Sequence, residues 1–292
     1  MRSGFCSIIG RPNVGKSTLL NALVGQKVAI ITPVPQTTRH VIRGVLHRPD
    51  LQIVFTDTPG IHKPRTLLGN RLNDLARASL SSVDCVVFLV DGSGHIGRGD
   101  EFLARLLRDV DTPVIAAVNK VDVIGRERQL PQLARVQELG GWTEIVPISA
   151  VSGENVDVLT DLITERMPEG PPYFPEDQVT DQSLEQRVAE VIREKAITVM
   201  REEVPHSIAV VVDEITPGMS ENVTIVSARL FVERESQKGI VIGHSGAVLR
   251  DIGVRAREEL EQLLDGRVFL DLRVKLSKEW QRDPKKLQRL GY

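Results

Sequence analysis

The chain has 292 residues, enough for about two domains that each bury a core. Hydrophobic residues make up 41% and charged residues 26%, which excludes a disordered or collagen-like chain. The net charge of −2 gives no sign of a nucleic-acid partner, although residues 273–292 carry seven basic side chains against two acidic ones. The longest apolar run, residues 85–90, is far shorter than the ~20 residues of a membrane-spanning helix, and the first residues do not resemble a signal peptide. We therefore expect a cytoplasmic protein.

From residue 5 to residue 168, short apolar runs alternate with amphipathic stretches, which is typical of an α/β domain. The runs are bounded by Gly, Pro, Asp or Asn and predict a mostly parallel sheet with helices on both faces. A turn at residues 47–50 predicts a hairpin that adds an antiparallel edge strand. Cys6 and Cys85 lie inside predicted strands, so we expect buried free thiols rather than a disulfide or a metal site.

The first predicted strand ends in GRPNVGKS, residues 10–17, which matches the phosphate-binding pattern G-x-x-x-x-G-K-[ST] and opens a helix. In such a loop, backbone N–H groups and the helix N-terminus meet a phosphate. Lys16 places a positive charge at the β- and γ-phosphates, and Ser17 offers an oxygen to Mg²⁺. This loop alone indicates a nucleoside triphosphate, and the contacts are expected from Gly10, Asn13, Val14, Gly15, Lys16, Ser17 and Thr18.

A second motif, DTPG at residues 57–60, ends a later strand-like run. Asp57 is in the place expected for a carboxylate that holds Mg²⁺ through water. The N–H of Gly60 is in the place expected for contact with the γ-phosphate. Together the two residues predict a site that senses the presence of that phosphate.

The motif NKVD, residues 119–122, follows the fourth apolar run, and Ser149 and Ala150 close the fifth. The carboxylate of Asp122 can accept two hydrogen bonds from the N1–H and N2–H₂ edge of guanine, whereas adenine has no such pair of donors. We therefore expect a guanine site formed by Asn119, Lys120 and Asp122, with the backbone N–H of Ala150 facing the guanine O6. A lone Ser-Ala pair carries no information by itself.

In their order, these four motifs resemble the translation-factor-like class of small GTPases over residues 1–168. The resemblance implies that PQTTR, residues 35–39, is switch I and that Thr38, rather than Thr37, ligates Mg²⁺ when GTP is bound. Ile61 follows DTPG where Ras-like enzymes place a water-orienting glutamine. The resemblance then implies slow hydrolysis assisted by K⁺ held at Asn13 and accelerated when a partner orders switch I. The predicted catalytic residues are Asn13, Lys16, Thr38 and Gly60.

Four prolines between residues 168 and 175 cannot continue a helix, and they predict a stiff linker at residues 169–181. The second domain is predicted at residues 182–292. Its pattern reads as a helix at 183–203, strands at 207–215 and 223–235, a short helix, a turn at 243–246, a helix at 247–264 and a strand at 268–276. The order is therefore α-β-β-α-α-β.

The sequence IGHSG, residues 242–246, stands between two helices in this order, which resembles a type II KH domain. A G-x-x-G sequence alone is more often a plain turn, but in a KH domain this loop clamps a single-stranded nucleic-acid backbone. His244 and Ser245 occupy positions where relatives often carry a lysine or arginine, so Arg250 and the basic tail are expected to supply more of the affinity. We expect Trp280 to dock the tail rather than to stack on a base. The predicted RNA contacts are Gly243, His244, Ser245, Gly246, Arg250, Lys275, Lys278 and Arg282.

A GTPase domain, a proline-bearing linker and an α+β KH domain together resemble the Era family of bacterial ribosome-assembly GTPases over the whole chain. The resemblance implies GTP or GDP with Mg²⁺ and K⁺, binding to the 3′ end of 16S rRNA on the small ribosomal subunit, a monomer, and peripheral association with the inner face of the cell membrane. One alternative is an RNA-binding chaperone in which nucleotide is mainly structural, and the presence of Lys16, Ser17, Thr38 and Asp57 argues against it. Another is a P-loop ATPase or nucleotide kinase, which NKVD argues against.

Overall fold

The protein divides into two compact units in a computed structural model that describes residues 1–35, 37–60, 66–80, 82–201, 203–220 and 222–292. The first unit comprises residues 1–29, 35–65 and 69–181. The second comprises residues 182–292 together with residues 30–34 and 66–68. The described residues contain no helix that is both long enough and apolar enough to cross a bilayer.

A six-stranded sheet forms the centre of the first unit, in the order β2-β3-β1-β4-β5-β6. All neighbouring strands are parallel except β2 and β3, which form the predicted hairpin. The elements are β1 (Arg2–Gly10), α1 (Lys16–Val24), β2 (Ile42–Arg48), β3 (Leu51–Asp57), α2 (Leu67–Ala78), β4 (Cys85–Asp91), α3 (Arg98–Arg108), β5 (Val114–Asn119), α4 (Arg126–Leu139), β6 (Glu144–Pro147) and α5 (Val156–Glu165). The predicted α/β fold class is confirmed.

Buried apolar side chains on both faces of β1, β4 and β5 explain why the apolar runs are continuous rather than alternating. Cys6 and Cys85 are opposite each other in the register of β1 and β4. Both thiols are free and buried, as predicted. Burial raises the pKa of Cys6 well above its ordinary value, so that thiol stays protonated.

Each of the sequence motifs follows the carboxyl end of a parallel strand. The phosphate-binding loop follows β1, DTPG begins at the last residue of β3, NKVD begins at the last residue of β5, and Ser149 follows β6. Because carboxyl ends of parallel strands meet at one edge of the sheet, the fold gathers the four motifs there.

The segment predicted as a stiff linker, residues 169–181, packs along the first unit. The buried side chain of Gln52 accepts N–H bonds from Tyr173 (2.6 Å) and Phe174 (3.0 Å) and donates one to the carbonyl of Phe174 (2.8 Å). The ring of Tyr173 lies 4.6 Å from that of Phe5. The prolines keep this segment extended, and Gln52 satisfies the polar groups of its backbone.

The second unit has a three-stranded sheet in the order β7-β8-β9, with β7 and β8 antiparallel and β8 and β9 parallel. Its elements are α6 (Leu184–Val199), α7 (Val204–Ser207), β7 (Ala209–Pro217), β8 (Val223–Val232), α8 (Glu235–Ile242), α9 (Ala247–Leu263), β9 (Arg267–Leu276) and α10 (Pro284–Arg289). Apolar residues of α6, α8 and α9 pack with those of the strands in one core. The predicted order α-β-β-α-α-β holds, with α7 and α10 added.

Two predicted boundaries in this unit are wrong. The helix predicted to reach residue 203 ends at Val199, where Met200 turns to an extended conformation, and Pro205 lies in the first turn of the separate α7. The strand predicted to reach residue 235 ends at Val232. There the N–H groups of Glu233 and Arg234 donate to Gln237 Oε1 at 3.0 Å and so begin α8.

The two tryptophans have structural roles. Trp280 has no exposed surface, its indole N–H donates to the carbonyl of Ser207 at 2.9 Å, and its ring stacks on Tyr292. Trp142 packs against Phe88 of the first core, with ring centroids 5.0 Å apart. The prediction that Trp280 docks the tail is therefore confirmed.

Candidate nucleotide site and RNA-binding groove

The phosphate-binding loop requires glycine at its turn into α1. Gly15 has φ +103°, and a Cβ at this residue would lie 2.3 Å from Nδ2 of Asn119. No side chain caps the N-terminus of α1, so its backbone N–H groups face an open end. A helix N-terminus of this kind is suited to a phosphate.

Lys16 is buried at the start of α1. Its ammonium donates to the carbonyls of Gly10 (3.2 Å) and Arg11 (3.0 Å). Burial lowers its pKa, and the nearby charge of Asp57 opposes that shift. The structure thus places the ammonium of Lys16 at the base of the loop, where its charge would stabilise a bound phosphate.

The three residues predicted to hold Mg²⁺ lie together. Ser17 Oγ donates to Asp57 Oδ2 at 2.7 Å, and Thr38 Oγ1 lies 3.1 Å from Ser17 Oγ and 3.3 Å from Asp57 Oδ2. Burial raises the pKa of Asp57, against the opposing effects of Lys16 and the two hydroxyls. Asp57 Oδ1 is buried without a hydrogen-bond partner in the described part of the chain. Two hydroxyls and a carboxylate with one orphaned oxygen fit a hard cation such as Mg²⁺.

Asn119 joins three of the motifs. Its Nδ2 donates to the carbonyl of Val14 at 2.8 Å, and its Oδ1 accepts the N–H of Ala150 at 2.9 Å. The N–H of Ala150, predicted to face guanine O6, is therefore bonded to Asn119 in this structure. Ser149 is fully buried, and its Oγ accepts the N–H of Ser152 at 3.1 Å.

Lys120 ties the base-selecting motif to the phosphate-binding loop. Its ammonium donates to the carbonyl of Asn13 at 2.9 Å and to Asp91 Oδ2 at 2.6 Å. Burial alone would raise the pKa of Asp91. Hydrogen bonds from Lys120 and Ser93, together with the charge of Lys120, outweigh burial and lower this pKa below its usual value. The sequence prediction did not include Asp91. Its position at the end of β4, in register with Asn119, is the signal that could have found it.

Asp122 is exposed in a short 3₁₀ turn at the same edge of the sheet, where a base could reach its carboxylate.

Gly60 of DTPG packs against Pro12 of the phosphate-binding loop, since a Cβ on Gly60 would lie 2.8 Å from the nitrogen of Pro12. Ile61, on which the hydrophobic-substitution prediction depends, lies outside the described residues, as does Gln36 of switch I.

The predicted nucleic-acid loop forms a tight turn between α8 and α9. Gly243, Ser245 and Gly246 all have positive φ, at +72°, +50° and +76°. His244 and Ser245 are exposed, and a Cβ on Gly246 would meet open space. This turn leaves its backbone open to a ligand, as a G-x-x-G clamp requires.

A groove of about 400 Å³ runs from this turn between α9 and the edge strand β9. It is lined by Gly246, Leu249, Arg250, Gly253, Val254, Arg257, Phe269, Leu270, Asp271 and Leu272. Two predicted residues, Gly246 and Arg250, are among them. The predicted residues Lys275, Lys278 and Arg282 are exposed but do not line it. The sequence prediction missed Arg257, about two turns beyond Arg250 on α9. It also missed Phe269, whose exposure of 61% is unusual for an aromatic side chain.

Two family models match the chain in the places that the geometry indicates. The model described as "50S ribosome-binding GTPase" matches residues 5–120, and the model described as "KH domain" matches residues 203–281. The first match contains the phosphate-binding loop, DTPG and the beginning of NKVD. The second contains the G-x-x-G turn and its groove.

Curated relatives match over the full length. GTPase Era of Mycolicibacterium smegmatis is 52% identical over 295 aligned residues, which cover 100% of this chain and 99% of the relative. GTPase Era of Streptomyces coelicolor is 48% identical, covering 100% of this chain and 95% of the relative.

Solved structures of Era also match over the full length. One is Era in complex with MgGDPNP and nucleotides 1506–1542 of 16S ribosomal RNA, with a TM-score of 0.97, 43% identity, and coverage of 100% of this chain and 99% of that one. Era of Aquifex aeolicus bound to GDP.AlF4⁻ matches with a TM-score of 0.96 and the same identity and coverage. Sequence, domain order and site geometry agree, and the chain belongs to the Era family of GTPases.

Proposed function

We propose that this protein is a GTP-hydrolysing switch that binds the 3′ end of 16S rRNA through its second unit during assembly of the small (30S) ribosomal subunit. The observation that carries the proposal is the nucleotide site itself, in which all four motifs meet at one edge of the sheet and Asp57 keeps a buried oxygen without a partner. This oxygen beside two hydroxyls supports a site that takes the nucleotide together with Mg²⁺.

The residues of the nucleotide site have separate roles in binding GTP. Lys16 supplies the fixed positive charge at the phosphates, and Gly60 presents its backbone where the γ-phosphate would lie. Asp122 selects guanine, and Asn119 and Lys120 hold the loop that carries it against the phosphate-binding loop. Ser17, Thr38 and Asp57 would hold Mg²⁺, whose charge neutralises phosphate oxygens when it is bound.

We further propose that hydrolysis depends on K⁺ through Asn13. This residue is exposed with φ +63°, and its carbonyl is fixed by Lys120 at 2.9 Å. A neutral amide oxygen is the kind of ligand that K⁺ takes. Ile61 cannot orient a water molecule by hydrogen bonding, so hydrolysis has to depend more on stabilising the charge that develops in the transition state, and K⁺ would supply positive charge there.

The groove beside the G-x-x-G turn is the proposed RNA site. Arg250 and Arg257 lie on one of its walls, and Phe269 offers an exposed ring on which a base can stack. One family model is described by the 50S subunit, but the solved relative that matches the whole chain carries a 16S rRNA fragment, and 16S rRNA belongs to the small subunit. The full-length match supports the small subunit as the target.

The test measures GTP hydrolysis in K⁺ and in Na⁺, each with and without an oligonucleotide matching the 3′ end of 16S rRNA, with a scrambled oligonucleotide as the control. We expect turnover to require K⁺ and to rise with the matching oligonucleotide only. Asn13→Ala should lose the preference for K⁺. Asn222→Ala, at a left-handed residue with φ +64° in the second unit, is the matched control and should keep it.

The possible outcomes distinguish the role of K⁺ from the GTPase switch and from the RNA-binding chaperone. Equal turnover in K⁺ and Na⁺ would remove the role of Asn13 and leave the GTPase switch standing. Turnover that ignores RNA, with RNA still bound, would favour an RNA-binding chaperone in which nucleotide is mainly structural. The cytoplasmic location, the monomeric state and the contact with the inner face of the cell membrane stay predictions.

A further inference from the structure

Arg11, the second residue of the phosphate-binding loop, forms an ion pair with helix α3. Its Nε donates to Asp100 Oδ1 at 2.7 Å. Asp100 is fully buried, whereas 31% of the Arg11 side chain is exposed. A buried carboxylate is costly unless it is paired, so the position of Asp100 depends on Arg11.

The second oxygen of Asp100 has a different function. Oδ2 accepts the N–H of Gly97 at 3.0 Å and so caps the start of α3. The amide oxygen of an asparagine at this N3 position could accept the same bond from the N–H of Gly97. The capping bond therefore does not require the negative charge, while the contact with the guanidinium of Arg11 does.

The segment Arg11-Pro12 is held at two further points. The carbonyl of Arg11 accepts a bond from the ammonium of Lys16 at 3.0 Å. Pro12 packs on Gly60, where a Cβ would lie 2.8 Å from the nitrogen of Pro12 and 3.0 Å from its Cα. The first half of the loop is thus fixed between α3, the phosphate-binding lysine and the glycine predicted to sense the γ-phosphate.

We propose that Asp100 is a positioning residue for GTP hydrolysis, which acts by holding Arg11 so that the first half of the loop keeps its place against Gly60 and Lys16. The inference rests on the proposed GTPase function. It also gives the arginine of this loop a structural partner, so that its guanidinium is bonded to a carboxylate rather than serving the phosphates. Since Gly60 is predicted to contact the γ-phosphate, which GDP lacks, the pair should matter more for turnover of GTP than for affinity for GDP.

Gly99 offers an independent way to disturb the same contact. A Cβ on Gly99 would lie 2.6 Å from Cδ of Arg11 and 3.2 Å from its Cγ. The aliphatic part of Arg11 therefore crosses directly over this glycine. Gly99→Ala should displace Arg11 without touching Asp100 or the nucleotide.

The experiment compares kcat, the Kd for GDP and the Tm of the full chain carrying Asp100→Asn, Arg11→Gln or both. Each single variant should lower kcat about 10-fold, while the Kd for GDP changes less than about 3-fold. The double variant should show no further loss, because both changes break one interaction. Asp109→Asn, at the exposed end of the same helix, is the matched control and should leave kcat unchanged.

A second cycle uses Gly99. Gly99→Ala should lower kcat in the wild-type background and have no effect in an Arg11→Ala background, where the side chain it displaces is gone. Loss of Tm with kcat intact, or additive losses in either cycle, would overturn the inference and leave a purely structural ion pair. A wild type that hydrolyses no GTP in K⁺ or Na⁺ would overturn the proposed function as well, so the two failures are distinguishable.

Discussion

In the nucleotide site the functional side chains hydrogen-bond to one another, whereas in the RNA-binding groove they share an exposed surface. Ser17, Thr38 and Asp57 lie within 3.3 Å of each other. The groove instead brings Arg250, from one helix, near Phe269, from an edge strand. A site made of buried polar groups tolerates few substitutions, because each loss leaves a partner unsatisfied. An exposed surface loses affinity gradually, one contact at a time.

The largest expected effect is that of Gly15→Ala in the nucleotide site. The new Cβ would lie 2.3 Å from Asn119 Nδ2 in a residue with φ +103°, so the loop and the base-selecting motif must separate. We expect affinity for GDP to fall at least about 100-fold, measured with a fluorescent GDP analogue. Gly25→Ala, at φ +76° with no atom within 4 Å, should cost only about 1 kcal/mol of stability and leave binding intact.

A smaller but more selective loss is expected from Asp122→Asn. An amide presents a donor to the guanine edge where the carboxylate accepted two bonds, so affinity for GDP should fall about 10- to 100-fold. Affinity for xanthosine diphosphate, which has a carbonyl at that edge, should rise. Asp109→Asn, which also removes one negative charge, is the control. Parallel losses for both nucleotides would show that Asp122 supports the loop and does not read the base.

A substitution in the tail of the second unit should affect stability and leave binding nearly unchanged. Trp280→Phe removes the bond to Ser207 and part of a fully buried ring, and should destabilise this unit by about 1–3 kcal/mol in urea unfolding. RNA affinity of the folded protein should change less than about 2-fold, since the ring is not exposed to a base. Weaker RNA binding at unchanged stability would contradict the docking role.

The smallest effect is expected in the G-x-x-G turn beside the groove and is a gain of RNA affinity. His244→Lys adds a positive charge to the exposed G-x-x-G turn, and should raise RNA affinity about 3-fold at low salt. The slope of log affinity against log salt should steepen by about 0.7 for one added phosphate contact on a single strand. His95→Lys makes the same change at an exposed histidine of the first unit and should leave both quantities unchanged. A gain from His95→Lys would mean that net charge, rather than the turn, controls affinity.

Local sequence was enough to predict the residues that would hold Mg²⁺ in the nucleotide site, but only part of the RNA-binding groove. Ser17 and Asp57 could be found because each stands at a fixed place beside a strand end, and the sheet then brings them together. Asp91 and Asp100 were missed because their partners, Lys120 and Arg11, are far along the chain. Phe269 was missed because its exposure depends on how α9 packs beside β9.

The same limit applies to the linker at residues 169–181, whose packing partner was not predicted. Four prolines correctly predict an extended segment, but nothing in that segment indicates what it packs against. Its partner is the amide of Gln52, a buried polar residue inside a strand. A glutamine in an otherwise apolar run is the signal that could have suggested a bound segment.

The two cysteines have a practical consequence for measuring motion. The chain contains only Cys6 and Cys85, and both thiols are buried within the sheet of the first unit. Maleimide dyes should therefore react with the native protein slowly or not at all. A pair of exposed cysteines introduced by Leu130→Cys and Met219→Cys, one in each unit, could be labelled without replacing either native cysteine. Energy transfer between the two dyes would then report, molecule by molecule, whether exchanging GTP for GDP rearranges the units.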